Sequence, residues 1–184
     1  NWDMGARITI DCATMMNKGL EIMEASWLFD MPIDRVDVVV HRESIIHSMV
    51  QFQDNSVLAQ LGVPDMRIPI QYALTYPKRL RSPVKELDLT ELGALTFCPP
   101  DDENFLCLKA CKQAMILGGT APAAANGANE QAVELFLQKK ISFLDIGRMV
   151  SLAIERHTDR KLTGLEDILK ADRNAREFVL READ

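Results

Sequence analysis

Three polar residues of complementary type, Asn17, Lys18 and Glu21, sit close together in this chain. On a helix, Asn17 and Glu21 stand at i and i+4 and Lys18 and Glu21 at i and i+3, so all three share one face. They follow a turn at Asp11 to Thr14. They open a stretch, Met15 to Phe29, in which Met16, Leu20, Met23, Trp27 and Leu28 recur at helical spacing. Free backbone N–H groups at a helix start attract anions. An amide donor, an ammonium and a carboxylate beside them suit a sugar phosphate with a divalent cation. Lys18 would meet the phosphate, and Glu21 would offer an oxygen to Mg2+ or Mn2+. The same residues also suit a plainer role, with Lys18 and Glu21 as a solvated ion pair and Asn17 as a cap. One carboxylate does not make a hard-metal site.

Other reactive side chains are ambiguous by themselves. His41 and His47 flank Arg42-Glu43-Ser44, and a histidine in or beside a strand serves as a structural partner or as a ligand. The Ser44 hydroxyl has the same two uses. His157, at a helix end, is expected to answer the helix dipole. Met66 and Trp27 are core candidates by default. Ala123 to Glu130 has no glycine-rich phosphate pattern, so its small residues point to close helix packing rather than a nucleotide loop. Cys12, Cys98, Cys107 and Cys111 form no CxxC pair. They read as reduced cytoplasmic thiols.

Stepping along the chain, Arg7 to Ile10 reads as a short strand and Val36 to Val40 as another. Ser48 to Gln53 and Ser56 to Leu61, either side of Asp54-Asn55, read as a hairpin. Asp65 to Tyr76 is expected to be helical, with Pro69 near its start. Prolines and basic residues from Pro77 to Pro100 suggest an extended linker with a short element at Thr90 to Leu95. Beyond it, Asp101-Asp102 is expected to cap a helix running to Leu117 and ending at Gly118-Gly119. Thr120 is expected to cap a second helix. A capping box of Ser142 with Asp145, with Ile141 and Ile146 as a staple, opens a third. A further box, Thr163 with Glu166, opens a fourth, with a possible restart at Asp172. The fold class expected is α+β: a small mixed sheet with helices over residues 1–76, a linker over 77–100, and a helical bundle over 101–184.

Composition sets limits. The 184 residues are 47% hydrophobic and 26% charged, ordinary for a soluble globular protein. A net charge of -6 and a pI near 5.1 argue against a broad nucleic-acid surface. No run approaches the roughly 18 apolar residues of a membrane span. Asn1-Trp2-Asp3 carries no signal-peptide pattern, so a cytoplasmic setting is expected. An initial Asn suggests a piece of a longer protein.

The segments Ile10–Glu21, Ser44–Val50, Ser56–Gly62, Pro64–Arg67, Ala125–Glu130 and Asp172–Arg176 together resemble the 1-deoxy-D-xylulose 5-phosphate reductoisomerase family, in order and over essentially the whole chain. The resemblance implies the carboxy-terminal portion of an enzyme that rearranges and reduces 1-deoxy-D-xylulose 5-phosphate to 2-C-methyl-D-erythritol 4-phosphate with NADPH, in non-mevalonate isoprenoid synthesis. It places Asn17 and Lys18 on the phosphate and Glu21 on Mg2+ or Mn2+. It sets Ser44 and His47 near the substrate, and Met66 as an apolar wall near substrate or nicotinamide. Cys12 stands where the family usually has a phosphate-contacting Ser, and a thiol is a weaker donor. Arg42-Glu43 replaces a Pro-Gln pair, a change expected to be tolerated. The family's dinucleotide domain, Asp-x-Glu metal pair and mobile loop precede this region, so the chain alone is expected to be inactive. A homodimer through the catalytic-domain sheet is implied. The alternative is a stand-alone sugar-phosphate binding or assembly module without catalysis. A third reading is an unrelated phosphosugar enzyme with a convergent site.

Overall fold

The computed structural model describes residues 5–183, so the leader reading at Asn1 to Asp3 lies outside the described residues. In chain order the elements are α1 (Ala6–Ala13), α2 (Met16–Leu28), a 3-10 turn (Ile33–Arg35), β1 (Ile46–Gln51), β2 (Val57–Leu61), α3 (Arg67–Thr75), α4 (Leu89–Leu92), α5 (Leu106–Leu117), α6 (Ala121–Leu137), α7 (Phe143–Glu155) and α8 (Leu165–Ala183). They form two compact units, one of residues 1–38 with 100–184 and the other of Val39–Pro99. This division runs differently from the 1–76, 77–100 and 101–184 boundaries expected above. The physical reason is that α1 and α2 pack with the later helices α5 and α6, so distant segments share one core.

The first unit is all helix among the described residues. Its fully buried side chains include Met16, Leu108, Val133, Ile146, Val150, Ile154 and Val179. Each such aliphatic side chain contributes about 1.5–3 kcal/mol by leaving water. The small-residue stripe at Ala124, Ala125 and Ala128 lies buried inside α6, as close packing requires. A Cβ added at Gly127 would stand 2.8 Å from the Asp172 carbonyl oxygen, which shows how closely α6 and α8 approach.

The Arg7 to Ile10 strand is corrected: these residues belong to α1. Local β-branching loses to tertiary context, because a helix turns Ile10, Asp11 and Thr14 together into the interior. Val36 to Val40 forms no strand either. Only Val40 finds a pairing partner, Cys98. Asp101 caps a separate turn, accepting from the Asn104 N–H at 3.1 Å, and α5 begins later, at Leu106. Thr120 stands at the N-cap position of α6 as expected, but its side chain makes no cap bond; its buried hydroxyl donates to the Asp159 carbonyl at 2.6 Å. The box expected from Thr163 and Glu166 closes instead on Asp167, whose carboxylate accepts from the Thr163 N–H and hydroxyl, both at 2.7 Å. Helix α8 runs through Asp172 without a break.

In the second unit the hairpin forms as expected. Its strands run antiparallel, so the small sheet is not mixed. The Asn55 N–H donates to the Phe52 carbonyl at 3.0 Å, and Asn55 has φ 67. A turn followed by a left-handed residue makes a longer loop than the two-residue Asp-Asn turn expected. The linker region holds one helical turn, α4, capped by Asp88.

Candidate functional site

The corner between α1 and α2 brings the polar triad together. Thr14 is buried, donates its hydroxyl to the Ile10 carbonyl at 3.0 Å, and so ends α1. Met15 takes the left-handed conformation, φ 59, and redirects the chain into α2. Met15, at the N-cap of α2, makes no side-chain cap bond, and the Met16 N–H donates to the Thr14 hydroxyl at 3.4 Å, so Asn17 is not a cap. Its amide donates to Glu21 Oε1 at 2.7 Å, and Lys18 Nζ donates to Glu21 Oε2 at 2.5 Å. The three side chains therefore converge on one face of the first two turns of α2.

Cys12 belongs to the last turn of α1. Partial burial and then the carboxylates of Glu21 and Asp11 push its thiol above the ordinary cysteine value. It stays an S–H donor at neutral pH, which suits an anionic neighbour better than a thiolate would.

Two supports hold this corner. Helix α2 lies against α5 where Gly19 meets Cys111, and the Cys111 thiol reaches the Met16 sulfur at 3.6 Å. Burial pushes Cys107 and Cys111 up to about 12, so both are packing residues. Helix α1 lies against α6, where buried Asn129 donates its amide to buried Asp11 at 2.8 Å. Beside them Arg7 pairs with Glu130, and Arg176 pairs with both Glu130 and Asp172. No local spacing assigned these residues a supporting role, although Ala125–Glu130 and Asp172–Arg176 carry part of the family resemblance, because pairing across distant helices is invisible before the fold is known.

Ser44, His47 and Met66 lie in the second unit, apart in sequence and unit from Cys12, Asn17, Lys18 and Glu21. The register slips between Ile46 and Ser48, which makes His47 the extra residue of a β-bulge. Bulges re-aim a side chain relative to regular pleating. His47 donates its Nε2 proton to the Ser44 carbonyl at 3.0 Å, and Ser44 itself has φ 53. His41 is structural. Its Nδ1 meets the Thr96 carbonyl and Glu43, each at 2.9 Å, and its Nε2 accepts from the Ile45 N–H at 3.2 Å. Met66 stands just before α3 and is 56% exposed, and Trp27 is 74% exposed, so neither belongs to the core. His157 does not answer a dipole with charge. Burial lowers its pKa, and its Nε2 sits 3.0 Å from the Thr120 hydroxyl.

No group of three His, Cys, Asp or Glu side chains gathers among the described residues. Glu21 thus fits one ligand of a divalent-cation site and not a whole one. Among the described residues no helix is long and apolar enough to cross a membrane.

A family model described as the DXP reductoisomerase C-terminal domain matches residues 61–178, and a second, the 1-deoxy-D-xylulose 5-phosphate reductoisomerase C-terminal domain, matches residues 1–29. The chain belongs to the 1-deoxy-D-xylulose 5-phosphate reductoisomerase family. Among curated members, the reductoisomerase of Chloroherpeton thalassium is 53% identical over 100% of this chain and 48% of its own length. That of Geobacillus kaustophilus is 56% identical over 97% of this chain and 47% of its own. The solved reductoisomerase of Zymomonas mobilis in complex with NADPH superposes with a TM-score of 0.91 at 44% identity, over 97% of this chain and 47% of that one. A reductoisomerase bound to NADPH, fosmidomycin and magnesium gives 0.92 at 45% identity, over 100% of this chain and 47% of that one. The chain therefore spans about half the length of the family members it matches.

Proposed function

We propose that this chain is the carboxy-terminal portion of an enzyme that converts 1-deoxy-D-xylulose 5-phosphate to 2-C-methyl-D-erythritol 4-phosphate with NADPH. In this reading the α1–α2 corner binds the substrate phosphate. Lys18 supplies the charge, Asn17 and the first amides of α2 supply N–H donors, and the Cys12 thiol supplies a weaker one. Glu21 orients Asn17 and Lys18 and offers one oxygen to Mg2+ or Mn2+. When bound, the cation polarises the substrate carbonyl and NADPH supplies hydride. His47, aimed by its bulge, together with Ser44 and the exposed Met66 contributes to the substrate and nicotinamide surroundings.

The observation that carries this reading is the convergence of Asn17, Lys18 and Glu21 on one face at the start of α2. The wider reading, again a proposal, includes a cytoplasmic homodimer joined through the sheet of the second unit. The 184 residues by themselves are proposed not to turn over, because Glu21 alone does not hold a catalytic metal.

Calorimetric titration of 1-deoxy-D-xylulose 5-phosphate into the full-length protein that carries this chain tests the site. Removing a charged hydrogen-bond donor costs about 1.5–3 kcal/mol, so Lys18→Ala should weaken binding by roughly 10- to 150-fold. Equal affinity of parent and variant would remove Lys18 from the phosphate site and sink the proposal.

A further inference from the structure

We infer that Asn129 is a positioning residue for the phosphate site, acting through Asp11; the inference rests on the phosphate reading above. Helix α2 contributes Asn17, Lys18 and Glu21, while α1 contributes only Cys12. Cys12 stands in the last turn of α1, three residues before the Met15 junction that opens α2, so both helices bring groups to this corner. The placement of α2 is set by its contact with α5 at Gly19 and Met16. Helix α1 buries Ile10 in the apolar core and meets α6 through one buried polar bond. Asn129 is 1% exposed and donates to Asp11 Oδ1 at 2.8 Å. An ionised carboxylate only accepts, so Asp11 fixes which way the Asn129 amide points.

Among the described residues, the charged groups around this pair are few. Arg7 Nε, on α1 itself, stands 3.9 Å from Asp11 Oδ2. The Arg7 guanidinium is drawn to Glu130 of α6, which also holds Arg176 of α8, and Arg176 binds Asp172. From α5, the Cys107 thiol senses Asp11. Without the Asn129 amide, Asp11 keeps, among the described residues, only the long Arg7 contact. A buried carboxylate without its donor moves toward water or another partner. Asp11 does so by rotating or shifting the end of α1, and Cys12, the next residue, travels with it. The Thr14–Met15 junction that starts α2 follows.

The test measures the Kd of 1-deoxy-D-xylulose 5-phosphate by calorimetry, with melting temperature in parallel, on the full-length protein that carries this chain. Asn129→Ala should raise Kd by about tenfold or more, as loss of a supporting partner does. The swapped pair Asp11→Asn with Asn129→Asp keeps one donor and one acceptor and should return Kd to near the parent value. Val133→Ala, a buried apolar truncation on the same helix, should lower the melting temperature and leave Kd unchanged. If Asn129→Ala does not fold, Asn129→Asp alone is compared with the swapped pair, and only the pair should bind well. Parent-like binding by Asn129→Ala, an equal Kd change from Val133→Ala, or failure of the swap to restore binding would overturn the inference. Lys18→Ala in the same assay separates the two levels. If it weakens binding while Asn129→Ala does not, the positioning role falls alone; if it leaves binding intact, the phosphate reading falls and takes this inference with it.

Discussion

Replacing Gly19 by alanine tests the packing that underlies the site. An alanine Cβ there would lie 2.5 Å from Cys111 Sγ and 2.7 Å from Cys111 Cβ. Carbon–carbon contacts settle at about 3.5–4.0 Å, so α2 and α5 must separate by about 1 Å. Rotation of the Cys111 side chain moves the sulfur but not the Cβ, so it gives no escape. Overpacking a core costs about 1–3 kcal/mol, and the immobile Cβ places this case in the upper part of that range. Alanine recovers about 1 kcal/mol through its better helix propensity. The net expectation is a loss of about 1–2 kcal/mol, read as a lower urea midpoint at unchanged slope by circular dichroism. On the phosphate reading proposed above, Asn17, Lys18 and Glu21 ride on the displaced helix, so substrate affinity should also fall. Cys111→Ala should not rescue the variant, since it leaves the Cβ in place. Cys111→Gly should cost less in the Gly19→Ala background than in the parent, a coupling that a double-mutant cycle isolates. A Gly19→Ala protein as stable as the parent would refute the argument.

Two further outcomes concern the first unit. The Asp145 carboxylate accepts from the Ser142 N–H at 3.0 Å and hydroxyl at 2.6 Å, which with Arg148 holds its pKa below the usual range. Ser142→Ala should destabilise by about 0.5–2 kcal/mol at neutral pH. The Asp145 contribution is present above the unfolded carboxylate pKa and disappears as pH falls through the lower folded value, so the gap between parent and variant melting temperatures should narrow in acid. A gap that widens in acid would contradict this. Thiol labelling at mildly alkaline pH should modify exposed Cys12 and Cys98 in the native protein and reach Cys107 and Cys111 only in denaturant, since burial holds the latter pair near 12. Rapid native labelling of either buried thiol would show that α5 does not pack as described.

Much of this protein was legible from local chemistry. The spacing of Asn17, Lys18 and Glu21 placed them on one helix face, and the apolar period from Met16 onward placed that helix. Gly118-Gly119 marked the end of α5, and Ser142 with Asp145 marked the start of α7. The hairpin followed from its polar turn between two short apolar runs. These are short-range patterns, decided by neighbours within a turn or two. The errors share the opposite character. Ile8-Thr9-Ile10 has strand propensity, yet it is helical because only a helix buries Ile10, Asp11 and Thr14 on one side. Val36 to Val40 has strand composition, yet a strand needs a neighbouring backbone, and only Val40 has one. Thr120 and His157 do stand at helix ends, yet their side chains bond each other from segments far apart in the chain rather than their own helix ends. The same holds at the site: residue types and spacing named the triad, whereas the backing of α2 by Cys111, the clasp of Asp11 by Asn129 and the bulge that carries His47 arise only when distant segments meet. Sequence determines which groups a turn of helix displays. Tertiary packing decides where that turn is held, because the contacts that hold it join residues that no local period connects.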